Sequence, residues 1–234
     1  ALVRAYKAFC ARCKTVIVNG DDPVCKTLCA EPITFGLGKD NDYRAENVRI
    51  DGGARTFELA SRDNRRARIT MPVVGEHNVY NALAALAVAD ACGLNPSAAA
   101  SGLNKFGGIA RRFERKGVAF GKTVIVDYAH HPTEIAATLA CARELFPSVA
   151  VVFQPHTYSR TQSLMDGFVS ALAAADTVVL APVFSARERA GEVSSHTLCR
   201  KIVELNERAY CFDTFAEIVD YCKSLKEKAV IFMG

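Results

Sequence analysis

Three stretches of this chain concentrate side chains that bind and transfer charge. In residues 124–135, VIVDYAHHPTEI, an apolar run ends in Asp127, Tyr128, His130 and His131 just before Pro132. In residues 152–161, VFQPHTYSRT, a second run ends in Gln154, His156, Tyr158 and Arg160. A third run, at 177–181, leads into Ser185, Arg187 and Glu188. Three of the five histidines fall in the first two stretches. A lone histidine is commonly a satisfied packing residue. Imidazole, guanidinium and carboxylate groups gathered at successive run ends instead fit one shared site. Its chemistry would be the holding of anions and amines. Histidines orient or hydrogen-bond a carboxylate or phosphate, and Asp127 accepts bonds from a ribose hydroxyl or an ammonium group.

Such residues need a scaffold that brings separate run ends together. Strands at 122–127, 149–153, 177–181, 209–212 and 229–233 alternate with helices at 132–146, 161–174, 195–206 and 214–228. The strand cores VIV, VAVVF, TVVLA and AVIF are continuously apolar, as expected when helices cover both sheet faces. The pattern predicts an α/β fold with a Rossmann-like, doubly wound, mostly parallel sheet. Ligands of such sheets bind beyond the carboxyl ends of the strands. A helix N-terminus there also offers unpaired N–H groups and a positive dipole end to anions.

The texture before residue 114 differs. A strand at 14–19, a short helix opened by Asp21-Asp22-Pro23 and a hairpin of 43–50 and 55–60 around Asp51-Gly52-Gly53 are expected. A strand at 66–71 follows, then an Ala-rich helix through 75–93 with Gly93 as its C′ residue. A further helix starts at Asn95-Pro96-Ser97 and ends near 106. The change of texture near 112–116 divides the chain into domains 1–113 and 114–234. Asn78 and Asn81 stand three apart, on one helix face. A side-chain amide matches the donor–acceptor edge of adenine, although asparagine near a helix start is also a common cap.

Half of the 234 residues are hydrophobic and 23% are charged, as in soluble globular proteins. The net charge of +4 is too small and dispersed for a nucleic-acid partner. No apolar run approaches the roughly 18–20 residues needed to cross a bilayer, and no signal-peptide pattern opens the chain, so no membrane partner is expected. Nine cysteines, odd in number and scattered, fit a reducing cytoplasm. Cys10 and Cys13 form a CxxC pair, but nothing completes a zinc set, and no metal ligand is assigned. Gly121-Lys122-Thr123 ends like a phosphate loop. Yet Gly117 stands one residue too close, and the triplet opens a strand instead of following one. Arginines 62, 65, 66 and 68 read as a solvated face. A chain opening on Ala1 and stopping at Gly234, directly after a strand, reads as an excised fragment. No residue pattern sets an oligomeric state.

Together these stretches resemble the Mur ligase family of ATP-dependent amide-bond ligases in peptidoglycan synthesis. The resemblance rests on GEHNVYNALAAL (75–86), GGIARRFE (107–114), VDYAHHPTE (126–134), VFQPHTYSRT (152–161) and SARE (185–188), in that order. GDDP (20–23) and DYRAENV (42–48) fit as well. The doubled histidine and the FQPH stretch favour the branch that joins L-alanine to UDP-N-acetylmuramate.

The resemblance implies the C-terminal part of a central ATP-binding domain, then a C-terminal Rossmann-like domain. ATP would be bound, with magnesium held mainly by residues preceding Ala1, where the phosphate loop would also lie. It further implies an incomplete chain without turnover of its own. The family reaction passes the γ-phosphate of ATP to the muramic acid carboxylate, and the amine of L-alanine then displaces phosphate. By position, Asn78 and Asn81 match the family's adenine contacts, Arg112 its phosphate contact and Asp127 its ribose contact. Tyr128, His130, His131, His156 and Arg160 match positions near the incoming amino acid and the reacting carboxylate, with Arg112, His130 and Arg160 as the catalytic set. Thr157 stands where some alanine-adding enzymes carry a second arginine, and His77 does not match the magnesium ligand.

Simpler roles stand beside these. Arg112 could form a salt bridge, His131 could cap the helix begun at Pro132, and Glu188 could pair with Arg187. At the level of the whole chain the alternatives are a sister ligase that recycles murein peptides or extends folate with glutamate, and a non-catalytic nucleotide- or amino-acid-binding module.

Overall fold

The computed structural model describes residues 1–63, 65–189, 191 and 193–234. They form two compact units, 1–107 and 108–234. The division falls at Gly107/Gly108, a few residues before the change of texture in the sequence.

Unit 1 contains α1 (Leu2–Cys10), β1 (Ile17–Asn19), β2 (Ile33–Gly36), β3 (Tyr43–Asp51), β4 (Ala54–Ser61), β5 (Arg66–Met71), α2 (Glu76–Ala91) and α3 (Pro96–Asn104). Its sheet runs β1-β2-β3-β4-β5, parallel through β3 and antiparallel beyond. The β3–β4 hairpin closes on Gly52 and Gly53, both at positive φ as a two-residue primed turn requires. Phe57, Leu59, Ile69 and Met71 pack under Val79, Leu83 and Leu86 of α2. Burying each such side chain contributes roughly 1.5–3 kcal/mol. Gly93, at φ 73°, ends α2, with Leu94 N–H donating to the Ala89 carbonyl in a Schellman arrangement. The arginine-rich stretch is a structural face. Arg65 grips Asp90 through two 2.8 Å bonds, and Arg66 pairs with Glu46.

Two expectations for unit 1 are corrected. β2 was not foreseen, because ITFG is short and only half-buried. Asp21-Asp22-Pro23 opens only a 3₁₀ turn at Cys25–Thr27, capped by Asp22. Asp21 instead works across the fold. Its carboxylate accepts from Leu37 N–H (2.6 Å), Gly38 N–H (3.1 Å), Asn41 Nδ2 (2.8 Å) and Tyr80 Oη (2.9 Å). Burial works to raise its pKa, but these donors outweigh it and hold the group below its ordinary value.

Unit 2 contains β6 (Glu114–Ala119), β7 (Lys122–Asp127), α4 (Pro132–Leu145), β8 (Val149–Phe153), α5 (Tyr158–Ser163), α6 (Met165–Leu172), β9 (Thr177–Leu180), α7 (Ser195–Val203), β10 (Ala209–Cys211), α8 (Phe215–Ser224) and β11 (Ala229–Met233). The strand order is β10-β9-β8-β11-β7-β6, all parallel except β6. Alternate strand residues face opposite layers. Ile125, Val151, Phe153 and Ile231 meet Ile135, Leu139, Phe168, Leu172 and Leu198 on one face. Ala150, Val152, Val179 and Val230 meet Ile218 on the other. This is the doubly wound sheet expected from the uninterrupted apolar strands.

Three details of unit 2 depart from expectation. The polar edge strand β6, ERKGVA, has no apolar run to announce it. The helix foreseen at 161–174 is two helices, broken at Leu164. The helix foreseen through 228 ends at Ser224. The Gly-Lys-Thr triplet has a structural use. Phe120 and Gly121 form the β6–β7 turn at positive φ, and buried Lys122 donates to the Phe120 and Lys223 carbonyls. No helix of the described residues is long and apolar enough to cross a membrane.

At the amino ends of the strands, Glu227 is 3% exposed and accepts from Thr177 Oγ1 (2.6 Å), Lys226 N–H (3.0 Å) and Arg208. Burial pushes its pKa up, but these donors and the Arg208 charge hold it below the ordinary glutamate value. A depressed folded pKa contributes stability above the unfolded value, and that stability is lost as pH falls through the folded one. Glu227→Ala should therefore cost about 2–4 kcal/mol at pH 7 in urea unfolding, and the gap between variant and wild type should narrow as pH falls below the ordinary glutamate value of about 4.3. In unit 1, a Cβ on Gly36 would lie 2.5 Å from Asp21 Oδ2 and 2.7 Å from Asn41 Nδ2. Gly36→Ala should cost about 1–3 kcal/mol, read as a lower urea midpoint by circular dichroism.

Candidate functional site

Four adjacent parallel strands of unit 2 end at one level. Leu180 pairs with Phe153, Phe153 with Met233, and Met233 with Asp127. The segments leaving β7, β8 and β9 therefore rise from one sheet edge. Among them are Asp127, Tyr128, His130, His131, His156 and Arg160.

Asp127 is 7% exposed. Its Oδ1 accepts from Ala129 N–H at 2.8 Å and its Oδ2 from Phe113 N–H at 2.7 Å. The first bond turns the chain out of β7. The second holds the segment that leads into β6. In that segment Arg111 and Phe113 have φ of 61° and 50°, a left-handed conformation costing on the order of 1 kcal/mol or more for a non-glycine residue. Tyr128 N–H donates to the Arg111 carbonyl at 2.7 Å, and Arg111 N–H donates to Glu114 Oε2 at 2.8 Å. The guanidinium carbon of Arg112 lies 6.0 Å from the centre of the half-exposed Tyr128 ring. It makes no salt bridge among the described residues.

A ladder of rings continues across the edge. Tyr128 meets His130 edge-on at 5.0 Å, His130 lies 6.3 Å from His156, and His156 lies 5.3 Å from Phe184. His130 Nδ1 sits 2.8 Å from the Tyr128 carbonyl, which can only accept, so Nδ1 carries a proton. In the neutral ring this leaves the Nε2 lone pair free to accept a proton or hydrogen bond. Glu134 accepts from His130 N–H at 3.0 Å. Burial would raise Glu134, but that N–H and the charges of His130 and Arg112 hold it below the ordinary glutamate value. Nδ1 of His156 is buried and has no hydrogen-bond partner among the described residues.

At the helix N-termini of this edge the chain's own side chains take up the first amides, and at α4 this is the histidine cap named as the simpler role of His131. At α4, His131 is the N-cap, its Nδ1 accepting from Thr133 N–H at 3.3 Å. At α5, Glu188 accepts from Ser159 N–H at 3.0 Å and from the Ser159 hydroxyl. These serine donors, the hydroxyl first, hold Glu188 below the ordinary glutamate value. Glu188 thus binds Ser159 and forms no salt bridge with Arg187 among the described residues. Thr157, at φ 66°, caps α5, and its N–H donates to the Phe184 carbonyl at 2.9 Å. The amide groups that would attract an outside anion are engaged by the protein's own side chains. Arg112, Arg160 and Arg187 make no ion pair among the described residues.

Asn78 and Asn81 lie in unit 1, at the start of α2. Gly75 is the N-cap there, so neither asparagine caps the helix. Asn78 Nδ2 donates to the Val74 carbonyl at 2.6 Å, and Asn81 Nδ2 donates to Asn78 Oδ1 at 3.3 Å. The exposed Asn81 keeps its amide oxygen free. No group of three or more metal-ligating side chains exists among the described residues, so they do not by themselves make a magnesium cage.

Sequence reasoning passed over Glu134, Phe184 and the Phe113 N–H. Glu134 had a signal, since it stands three residues after an N-cap, where a carboxylate commonly reaches back to a free amide. Phe184 and Phe113 had none, because their roles come from tertiary placement.

Known proteins place this geometry. Residues 2–89 match the Mur ligase middle domain, and residues 111–234 match the Mur ligase glutamate ligase domain. The chain is 42% identical over 215 residues to the UDP-N-acetylmuramate–L-alanine ligase of Clostridium novyi, covering 89% of this chain and 46% of that protein. The ligase of the same name from Limosilactobacillus reuteri is 38% identical over 226 residues, covering 94% and 50%. This chain thus spans about half the length of these curated relatives. Among solved structures, the UDP-N-acetylmuramate–alanine ligase of Thermotoga maritima superposes with a TM-score of 0.79 at 26% identity, over 99% of this chain and 50% of that one. A murein peptide ligase of Psychrobacter arcticus shares the fold, with a TM-score of 0.63 at 22% identity, over 94% and 48%. The sheet, the motifs that end its strands and these matches agree: the chain belongs to the Mur ligase family.

Proposed function

We propose that this chain is part of a cytoplasmic ligase that joins L-alanine to the carboxylate of UDP-N-acetylmuramate at the expense of ATP. The observation that carries the reading is the level sheet edge of unit 2. It gathers Asp127, Tyr128, His130, His156 and Arg160 in a chain about 40% identical to alanine-adding ligases. ATP, when bound, supplies the phosphoryl group that activates the carboxylate.

In this reading Arg112 faces the phosphates and Arg160 the reacting carboxylate, both as cations without ion pairs of their own. Acyl transfer between anions needs charge neutralisation and alignment more than a protein nucleophile. His130, with its free Nε2, takes a proton from the incoming ammonium group and leaves the amine able to attack. Tyr128, His131 and His156 line the approach of the amino acid. Asn81 and Asn78 offer the amide edge for adenine, and Asp127 lies at the ribose. No role for magnesium is assigned to residues of this chain. Residues 1–107 would form the C-terminal part of the ATP-binding domain, and the Rossmann-like unit 2 the amino-acid-facing domain.

The alternative to this reading is a nucleotide- or amino-acid-binding module without turnover.

A chimera separates the two. Spliced in place of the matching half of the Clostridium novyi relative, this chain should support phosphate release from ATP that depends on both L-alanine and UDP-N-acetylmuramate. Arg112→Ala or Arg160→Ala in that chimera should lower kcat/KM on the order of 10²-fold, the scale of one lost preorganised charge contact. A folded chimera that binds ATP but turns over nothing would favour the binding module. Near-normal turnover by either variant would remove that arginine from the site.

A further inference from the structure

We propose that Asp127 is a positioning residue for Arg112, holding the Arg111–Phe113 corner in its left-handed conformation and so aiming the Arg112 side chain over Tyr128. This rests on the reading of Arg112 as the phosphate-facing cation. It gives Asp127 a second role beside the ribose contact proposed above.

Both carboxylate oxygens of Asp127 already accept backbone N–H bonds, at 2.7 Å from Phe113 and 2.8 Å from Ala129. The group is buried, so these two bonds are shielded from water. The corner it holds contains two non-glycine residues at positive φ, 61° at Arg111 and 50° at Phe113, with Arg112 between them. Such a corner relaxes toward ordinary φ unless its amides are tied down. Each one is. Phe113 N–H is held by Asp127, Arg112 N–H by the Ile109 carbonyl at 3.1 Å, and Arg111 N–H by Glu114 at 2.8 Å. The Arg111 carbonyl is held by Tyr128 N–H at 2.7 Å, so the corner is clamped to the residues that end β7.

The Arg112 side chain has no comparable restraint. It is exposed and makes no ion pair among the described residues; the backbone sets where it leaves the chain, and the charge of Glu134 attracts it. Of the four amide and carbonyl contacts that hold the corner, the Asp127 bond alone uses a buried charged acceptor. It is the strongest class of tie available there. Glu114, half-buried on the edge strand, is the second charged partner of the same clamp.

The test begins with the chain itself. Asp127→Asn is isosteric and replaces the charged acceptor with a neutral amide that cannot satisfy both N–H groups. Trypsin cleavage after Arg111 and Arg112 should accelerate on the order of 10-fold or more, the change expected for losing a hydrogen bond to a charged acceptor. Cleavage at sites outside the corner should accelerate far less. Glu114→Ala, which alters no residue assigned to a ligand, should accelerate the same two cleavages by a smaller factor. Unchanged cleavage at Arg111 and Arg112 in Asp127→Asn would overturn the proposal, as would acceleration spread evenly over all sites.

The chimera described above then separates positioning from ribose contact. If Asp127 acts in part through Arg112, Asp127→Asn should lower kcat/KM by a several-fold larger factor in the parent chimera than when Arg112 is already alanine. Equal factors in the two backgrounds would mean that Asp127 acts only as an independent contact and would overturn the proposal. An inactive parent chimera would count against the ligase reading, and the cleavage pattern would still decide the role of Asp127.

Discussion

The site depends on a register. Phe153, Met233 and Asp127 are mutual neighbours across three parallel strands, and Leu180 continues the row. Parallel pairing spaces backbone bonds evenly, so a shift of one residue would move a strand end by about 3.3 Å and turn its side chains to the opposite face. Asp127 would then leave the Phe113 amide, and His156 would leave the ring ladder. The apolar core guards against such a shift. Ile125, Val151 and Ile231 fit one layer and Val152 and Val230 the other, and a one-residue shift would exchange side chains between the two layers.

The register also explains what was legible in the sequence. Strands with two buried faces must be apolar throughout, so VAVVF and AVIF announced themselves, and the polar residues that end them marked the sheet edge. Gly93 announced the end of α2 because the left-handed C′ position favours glycine. β2 and β6 carried no such mark. One is a four-residue strand of half-buried residues, and the other is a solvated edge whose partner supplies its order. The break at Leu164 was equally silent, since no proline or glycine sits at that residue.

The candidate site was legible as a set of residue types and much less as a set of partners. Histidine, arginine and aspartate at run ends pointed to a charge-binding edge, yet the sequence could not say which donor each acceptor already holds. Asp127 looked like an open carboxylate but is engaged by Phe113 and Ala129. Glu188 looked like a partner of Arg187 but binds Ser159. The neighbour that decides each role lies 14 residues away for one and 29 for the other. Local pattern does not reach that far.

A common logic joins these carboxylates. Amides freed where a strand turns into a helix attract negative charge, and in this fold the chain supplies that charge itself. Asp127 serves the exit of β7, Glu134 the entry of α4 and Glu188 the entry of α5. Asp21 does the same for the Leu37 and Gly38 amides in unit 1. Internal anions at these positions neutralise the partial positive charge that would otherwise hold an outside anion loosely and without direction. Directed attraction then comes from guanidinium groups such as those of Arg112 and Arg160, which have fixed planes and donors in defined directions. On the proposed reading, a site that aligns two anionic groups gains from that exchange, because diffuse attraction binds the ground state while directed donors favour one geometry. The internal carboxylates therefore belong to the chemistry of the edge even though none of them need touch a substrate.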